Sequence, residues 1–237
     1  MKNGIVNARG NNGKTALMRT AEKGDVETVK ILLKIGADVN ARDNNGMTAL
    51  MWVDKSPETP KFILVVDGVK AIDDVKARDN PDVMWVDRSP ETAKVLLKYG
   101  ADVKARNNYG MTALMLAAQN GLIETAEILL EHGADVDARN NDGNTALMLA
   151  AGCGYTKTAE VLLEHGADVD ARNNKGSTAL ILAAGNSPTK SVVKVLLEYG
   201  ADVDARDNNG NTALMLAEEY NDQIGIAQLL RSYGAEY

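Results

Sequence analysis

Cysteine, phenylalanine and proline are scarce in this chain of 237 residues, and basic residues, at 26, are outnumbered by 33 acidic ones. The single cysteine, Cys153, excludes a framework of internal disulfides and fits a reducing compartment, so a cytoplasmic protein is expected. Aromatics make up 4% of residues, with one Phe and two Trp, so the core must be built from Leu, Ala, Val and Met, a set suited to closely packed helices. No apolar run approaches the ~18 residues of a spanning helix, and the opening MKNGIVNARG lacks the apolar stretch of a secretory leader. No membrane partner is expected. A formal net charge of -7 leaves little basic surface to displace counterions from phosphates, which argues against nucleic acid as a partner.

Reactive constellations are missing as well. GNNGKT at 10–15 invites a phosphate-loop reading, but a Walker motif would need glycine at Ala8 and a buried strand before it. The DNNG and NNDG phrases suggest calcium loops, yet the first ligand position falls on Ala41, Ala138 or Ala205 and no bidentate glutamate follows. His132 and His165 share a column with Ile35, Tyr99, Tyr199 and Tyr233 and have no neighbouring ligands, so they read as column fillers. Cys153, at an interhelical turn, reads as a small packed or idle thiol. The abundant carboxylates read as a solvated face. No enzyme, cofactor or metal site is expected.

What the chain does contain is a period. The threonine of TAL recurs at Thr15, Thr48, Thr112, Thr145, Thr178 and Thr212, with gaps of 33, 64, 33, 33 and 34 residues. One unit written seven times is the simplest reading, the gap of 64 being two periods less two residues. A clean copy runs NNYGMTALMLAAQNGLIETAEILLEHGADVDAR at 107–139. TALMLAA is apolar on most sides, with Ala117 and Ala118 allowing close helix approach, and ETAEILLEHG has helical periodicity ending at Gly133. The linker ADVDARNNDG carries Asn and Gly turn signals between short arms, a hairpin-like finger. Two short antiparallel helices cannot bury their apolar faces alone, so the units must stack.

This pattern resembles the ankyrin repeat, whose Thr-Pro-Leu-His motif, alanine pair, Leu-Leu pair and Gly-Ala-Asp-Val end match position by position. The departures are consistent: the proline is Ala16, Ala49, Ala113, Ala146, Ala179 or Ala213, and the histidine is Met18, Met51, Met115, Met148, Ile181 or Met215. The resemblance implies an all-α solenoid of stacked helix-turn-helix repeats with hairpin-like fingers, one domain spanning 1–237. Its units fall at 10–42, 43–78, 79–106, 107–139, 140–172, 173–206 and 207–237. Residues 1–9 read as the remnant of a preceding unit, as if the chain were cut from a longer array. Gln228, Arg231 and Ser232 put polar groups where a capping unit needs them.

Two units are irregular. MWVDKSPET at 51–59 returns as MWVDRSPET at 84–92, which places Trp52 and Trp85 in the core-facing column of Leu116 and Leu149. Each copy offers a strong helix start: a serine to cap, a proline for the first helical position and a glutamate for the positive end of the dipole. NSPT at 186–189 repeats the device. Between the copies, residues 65–83 scramble the finger, with Pro81 and Asp82 where Thr and Ala belong. That joint is expected to be the weakest of the stack, either as tolerated drift or as a docking feature.

Columns that vary among the copies are candidates for recognition. They are the finger tips Asn12, Asn45, Tyr109, Asp142, Lys175 and Asn209, and, two residues later, Lys14, Met47, Met111, Asn144, Ser177 and Asn211. The end of the first helix adds Glu22 with Lys23, Gln119 with Asn120, Gly152 with Cys153, Gly185 with Asn186, and Glu219 with Tyr220. The resemblance implies that such positions line a concave groove and touch protein partners. Tyr109, Met47, Met111 and Tyr220 are the expected anchors, because a large side chain on a polar groove excludes water. Arginine recurs in every linker, at Arg9, Arg42, Arg78, Arg106, Arg139, Arg172 and Arg206. It would pair with aspartates such as Asp102, Asp135 and Asp168 or grip an acidic peptide. The expected function is a non-catalytic, monomeric module binding a protein or peptide. The alternative is an engineered or excised structural or regulatory scaffold segment with no natural partner.

Overall fold

The computed structural model describes residues 3–53, 89–185, 189–219 and 224–236. After a one-turn helix α1 (Asn3–Val6), the helices come in pairs: α2 (Ala16–Glu22) with α3 (Val26–Lys34), a 3-10 turn (Leu50–Trp52) with α4 (Ser89–Lys98), and α5 (Ala113–Asn120) with α6 (Ile123–Glu131). The series continues with α7 (Ala146–Gly152) and α8 (Thr156–Glu164), α9 (Ala179–Gly185) and α10 (Lys190–Glu198), and α11 (Ala213–Glu219) and α12 (Ile224–Ser232). The first member of each pair packs on the first member of the next, and the second on the second, giving inner and outer helical layers. The fingers are turns stacked on one another, and the described residues contain no strand.

Each inner helix starts at the repeated threonine. Thr15, Thr112 and Thr145 cap their helices by accepting the N–H three residues on, at 3.3 to 3.4 Å. At Thr15 the bond is reciprocal, because Met18 Sδ accepts from the Thr15 N–H at 3.4 Å. The methionine thus makes a weak version of a polar return contact while filling core volume. Ala117–Ala118, Ala150–Ala151 and Ala183–Ala184 are buried, so adjacent inner helices meet without bulky side chains between them. Outer helices end in a left-handed glycine: at Gly133 (φ 84°), Ala134 N–H reaches Leu129 O and Gly133 N–H reaches Leu130 O, both at 2.9 Å. One continuous core runs from Leu17 to Leu230.

The irregular region departs from the seven-unit division. The finger at 43–47 lies directly on the finger at 107–111: Asn108 N–H donates to Asn45 O at 2.9 Å, and Asn108 Nδ2 to Asn44 O at 3.1 Å. Asn40 and Arg42 likewise reach Gly100 and Arg106, and α4 packs against both α3 and α6. The described parts of 43–106 therefore supply one stacked unit, and the described residues form six units in all. The inner turn comes from the first copy of the duplicated phrase and the outer helix from the second. Both copies carry the same helix start, but the first continues as PKFILVVDG, with Pro60 where a helix needs an N–H, whereas the second continues as AKVLLKYGADVKAR with every column residue in place. The unit is also altered inside: its first helix is a single 3-10 turn, and the buried Thr48 hydroxyl has no partner. Trp85, Pro81 and the irregular stretch 65–83 lie outside the described residues, as do Ser56 and the Ser-Pro of 186–189. At 189 the cap residue Thr189 makes no side-chain bond to its helix.

Asn7 Oδ1 accepts from Asp38 N–H at 2.8 Å, and Arg9 donates to Arg42 O, so residues 7–9 follow the path of a linker arm. Gln228, Arg231 and Ser232 are exposed, with Arg231 paired to Glu218.

Candidate partner-binding surface

The finger is built around one side chain. Asn140 Oδ1 accepts from Asp142 N–H at 3.0 Å and Asn144 N–H at 2.9 Å, closing the turn on itself. Asn107, Asn173, Asp43 and Asp207 do the same in their own fingers. The following asparagine joins the fingers: Asn141 donates from its N–H to Tyr109 O and from Nδ2 to Asn108 O, both at 3.0 Å. Asn108, Asn174 and Asn208 repeat that double bond, and Asn44 makes it in longer form. With both neighbours of the tip residue tied down, the tip side chain is turned outward. Asn12, Asn45, Tyr109, Asp142, Lys175 and Asn209 are all exposed, Tyr109 by 66%.

The column two residues later lies elsewhere. Met47 and Met111 are only 3% and 8% exposed, and Ser177 is buried too, so they are not groove anchors. They sit between fingers, where Met47 Sδ and Met111 Sδ accept from Asn107 Nδ2 and Asn140 Nδ2, and Asn144 Oδ1 accepts from Asn173 Nδ2 at 2.8 Å. Asn211 is half-buried and bonds Asp207 within its own finger. At Met47, Met111 and Asn144 the side chain differs yet each offers the next finger's asparagine an acceptor, so variation there is not freedom. Lys14 is half-buried, paired with Glu22 at 2.9 Å, and its Nζ stands 3.1 Å from the centre of the Trp52 ring. Trp52 is half-buried and packs against the core, as Leu149 of its column does; its Nε1 donates to Asp43 Oδ2 at 3.1 Å.

At the inner-helix ends, Gln119, Asn120, Cys153, Lys23 and Glu219 are exposed, while Glu22, Gly152 and Gly185 are half-buried. Asn120 Nδ2 folds back to Leu116 O at 2.8 Å. Tyr220 and Asn186 lie outside the described residues. Among the described residues, the arginines do not pair with the aspartates four residues earlier; Arg78 lies outside them. Arg42, Arg139 and Arg172 reach forward one unit, their Nη1 atoms 2.6 Å from the carbonyls of Arg106, Arg172 and Arg206, and Arg9 and Arg106 extend the series. Arg206, in the last finger, turns to Gly210 O instead, at 2.9 Å. His132 and His165 each set Nδ1 2.8 Å from the carbonyl of Ile128 or Val161. In the last finger, burial pushes the Asp207 carboxyl up, but the donors from Asn211, Asn209 and Gly210 outweigh it and hold the group below its ordinary range.

Among the described residues, no cluster of three or more His, Cys, Asp or Glu could hold a metal, and no helix is long and apolar enough to cross a membrane. Paired helices stacked through turn fingers define a helical repeat solenoid. The family model for ankyrin repeats (3 copies) matches residues 2–66, 84–173 and 168–237, and the chain belongs to that family. Between its first two matches lie residues 67–83, the heart of the irregular stretch. Comparison with curated proteins returned no match. Ankyrin repeats are in general non-catalytic protein–protein interaction modules.

Proposed function

We propose that this chain captures a protein or peptide partner through its finger tips and the adjoining ends of the inner helices, without catalysis, in a reducing cytoplasmic setting. One observation carries the reading: the tip side chains are the part of each finger left outside the ladder. Their backbone is fixed by the flanking asparagine bonds, so a partner would meet a pre-organised row of side chains and little ordering would be needed. Tyr109 is the best anchor in that row, being large, amphipathic and exposed. Asp142 and Lys175 on the next two tips add opposite charges that would set register.

The test is affinity capture from lysate with the wild type, with Tyr109→Ser, Asp142→Ser and Lys175→Ser combined, and with a matched outer-helix control, Glu127→Ser, Lys157→Ser and Lys194→Ser. The expected result is a set of captured proteins lost on the tip changes and kept on the outer changes. Equal capture by all three would remove the tip surface, and no capture by any would favour a scaffold segment with no partner of its own.

A further inference from the structure

A second ladder joins the linker arms, and it lacks one rung. Asn7, Asn40, Asp137, Asp170 and Asp204 occupy one column, and the Oδ1 of each accepts the N–H of Asp38, Asp102, Asp168, Asp202 or Glu236 in the following arm, at 2.8 to 3.0 Å. The sixth described member of the column is Lys104, whose side chain has donors and no acceptor. The N–H it faces, that of Asp135, makes no hydrogen bond, although the rest of the Asp135 turn is intact: Asp135 Oδ1 accepts from Asp137 N–H at 3.2 Å, as in the other arms. At this junction the surface opens into a cleft of about 320 Å³ whose polar lining includes Lys104, Arg106, Thr112, Asp135, Asp137 and Arg139. Three cations and two carboxylates line it. Of those carboxylates, Asp137 already serves Asp168 and Asp135 already closes its own turn. Each of Arg106 and Arg139 spends N–H groups on the carbonyl of the next unit and keeps further donors.

We propose that this cleft binds a carboxylate side chain, glutamate or aspartate, of a partner peptide. Every other described junction shows what chemistry is missing here: an oxygen aimed at the N–H of the following arm. A carboxylate would complete that rung while pairing with Lys104, an anion accepting charge-assisted bonds from both. On a chain of net charge -7 such a notch is a local exception, which makes it selective for an acidic residue in a partner otherwise suited to an acidic surface. The site is separate from the finger tips, so Tyr109→Ser leaves it intact and either surface can fail without the other.

Amide-resolved NMR titration tests it on the whole chain, with N-acetyl-triglutamate amide, the matching triglutamine peptide and inorganic phosphate at constant ionic strength. The expected result is a saturable shift of the Asp135 amide with triglutamate only. It should weaken about tenfold or more in Lys104→Asp, a variant that restores the rung with the residue used at three sister positions. Lys104→Asp should also raise the thermal midpoint and protect the Asp135 amide from exchange, a readout of folding independent of any ligand. No shift, an equal shift with triglutamine, or an equal shift in Lys104→Asp would overturn the proposal. A response to phosphate without one to triglutamate would overturn the peptide assignment and leave a site for free inorganic anions.

Discussion

At the scale of single residues, a side chain in this protein is fixed by the finger beside it as much as by its own. A Cβ at Gly143 would stand 2.5 Å from Asn174 Oδ1 and 2.8 Å from Asn174 N, on top of a φ of +79°. Gly210 has a similar φ, +85°, but nothing within 4 Å, because no finger follows it. Gly143→Ala is therefore expected to cost the backbone strain of about 1–2 kcal/mol plus the loss of a ladder step, and Gly210→Ala the strain alone. Urea unfolding of the two variants measures the difference. Asp207 offers a second case. Its folded pKa is held below the ordinary carboxylate value, so its contribution is present at neutral pH and is lost as pH falls from about 4 through the lower folded value. The Asn209 and Asn211 amides should lose exchange protection over that window, and Asp207→Asn should abolish the dependence. Unchanged protection in the wild type would show that these donors do not depend on the charge.

At the scale of elements, the helices and fingers were legible from the period alone, since threonine caps, alanine pairs and terminal glycines each leave a local signal. Two things were not. Variation at Met47, Met111 and Asn144 looked like freedom, but each offers sulfur or oxygen to the asparagine of the next finger, so the contact tolerates change without being exposed. The arginine bonds end on backbone carbonyls one unit away, and a carbonyl carries no sequence identity, which left the nearby aspartates as the apparent partners. The duplicated phrase hid a third feature. A copy 33 residues along preserves the period whether or not it adds a unit, and only the bond from Asn108 to Asn45 decides. Deleting residues 54–86 joins Val53 to Asp87 and regenerates MWVDRSPET between the same inner turn and outer helix. That shortened chain should fold with its midpoint within about 4 °C of the full chain or above it. A fall well beyond that would mean the removed residues supply part of the stack.

At the scale of the whole molecule, stability is a sum over neighbouring interfaces, and the ends show what one missing neighbour does. Ile31 on α3 is 57% exposed, whereas Val95, Ile128, Val161 and Val195, its counterparts in the next four units, are buried. The same logic makes the row of finger tips a ruler. Spin labels at residues 12 and 109, and at 109 and 175, with Cys153 replaced by serine, each span two steps of a six-unit stack. Pulsed dipolar measurement should give nearly equal distances for the two pairs. A first pair longer by about 10 Å, the thickness of one helical layer, would restore a seventh unit between the fingers and contradict the account.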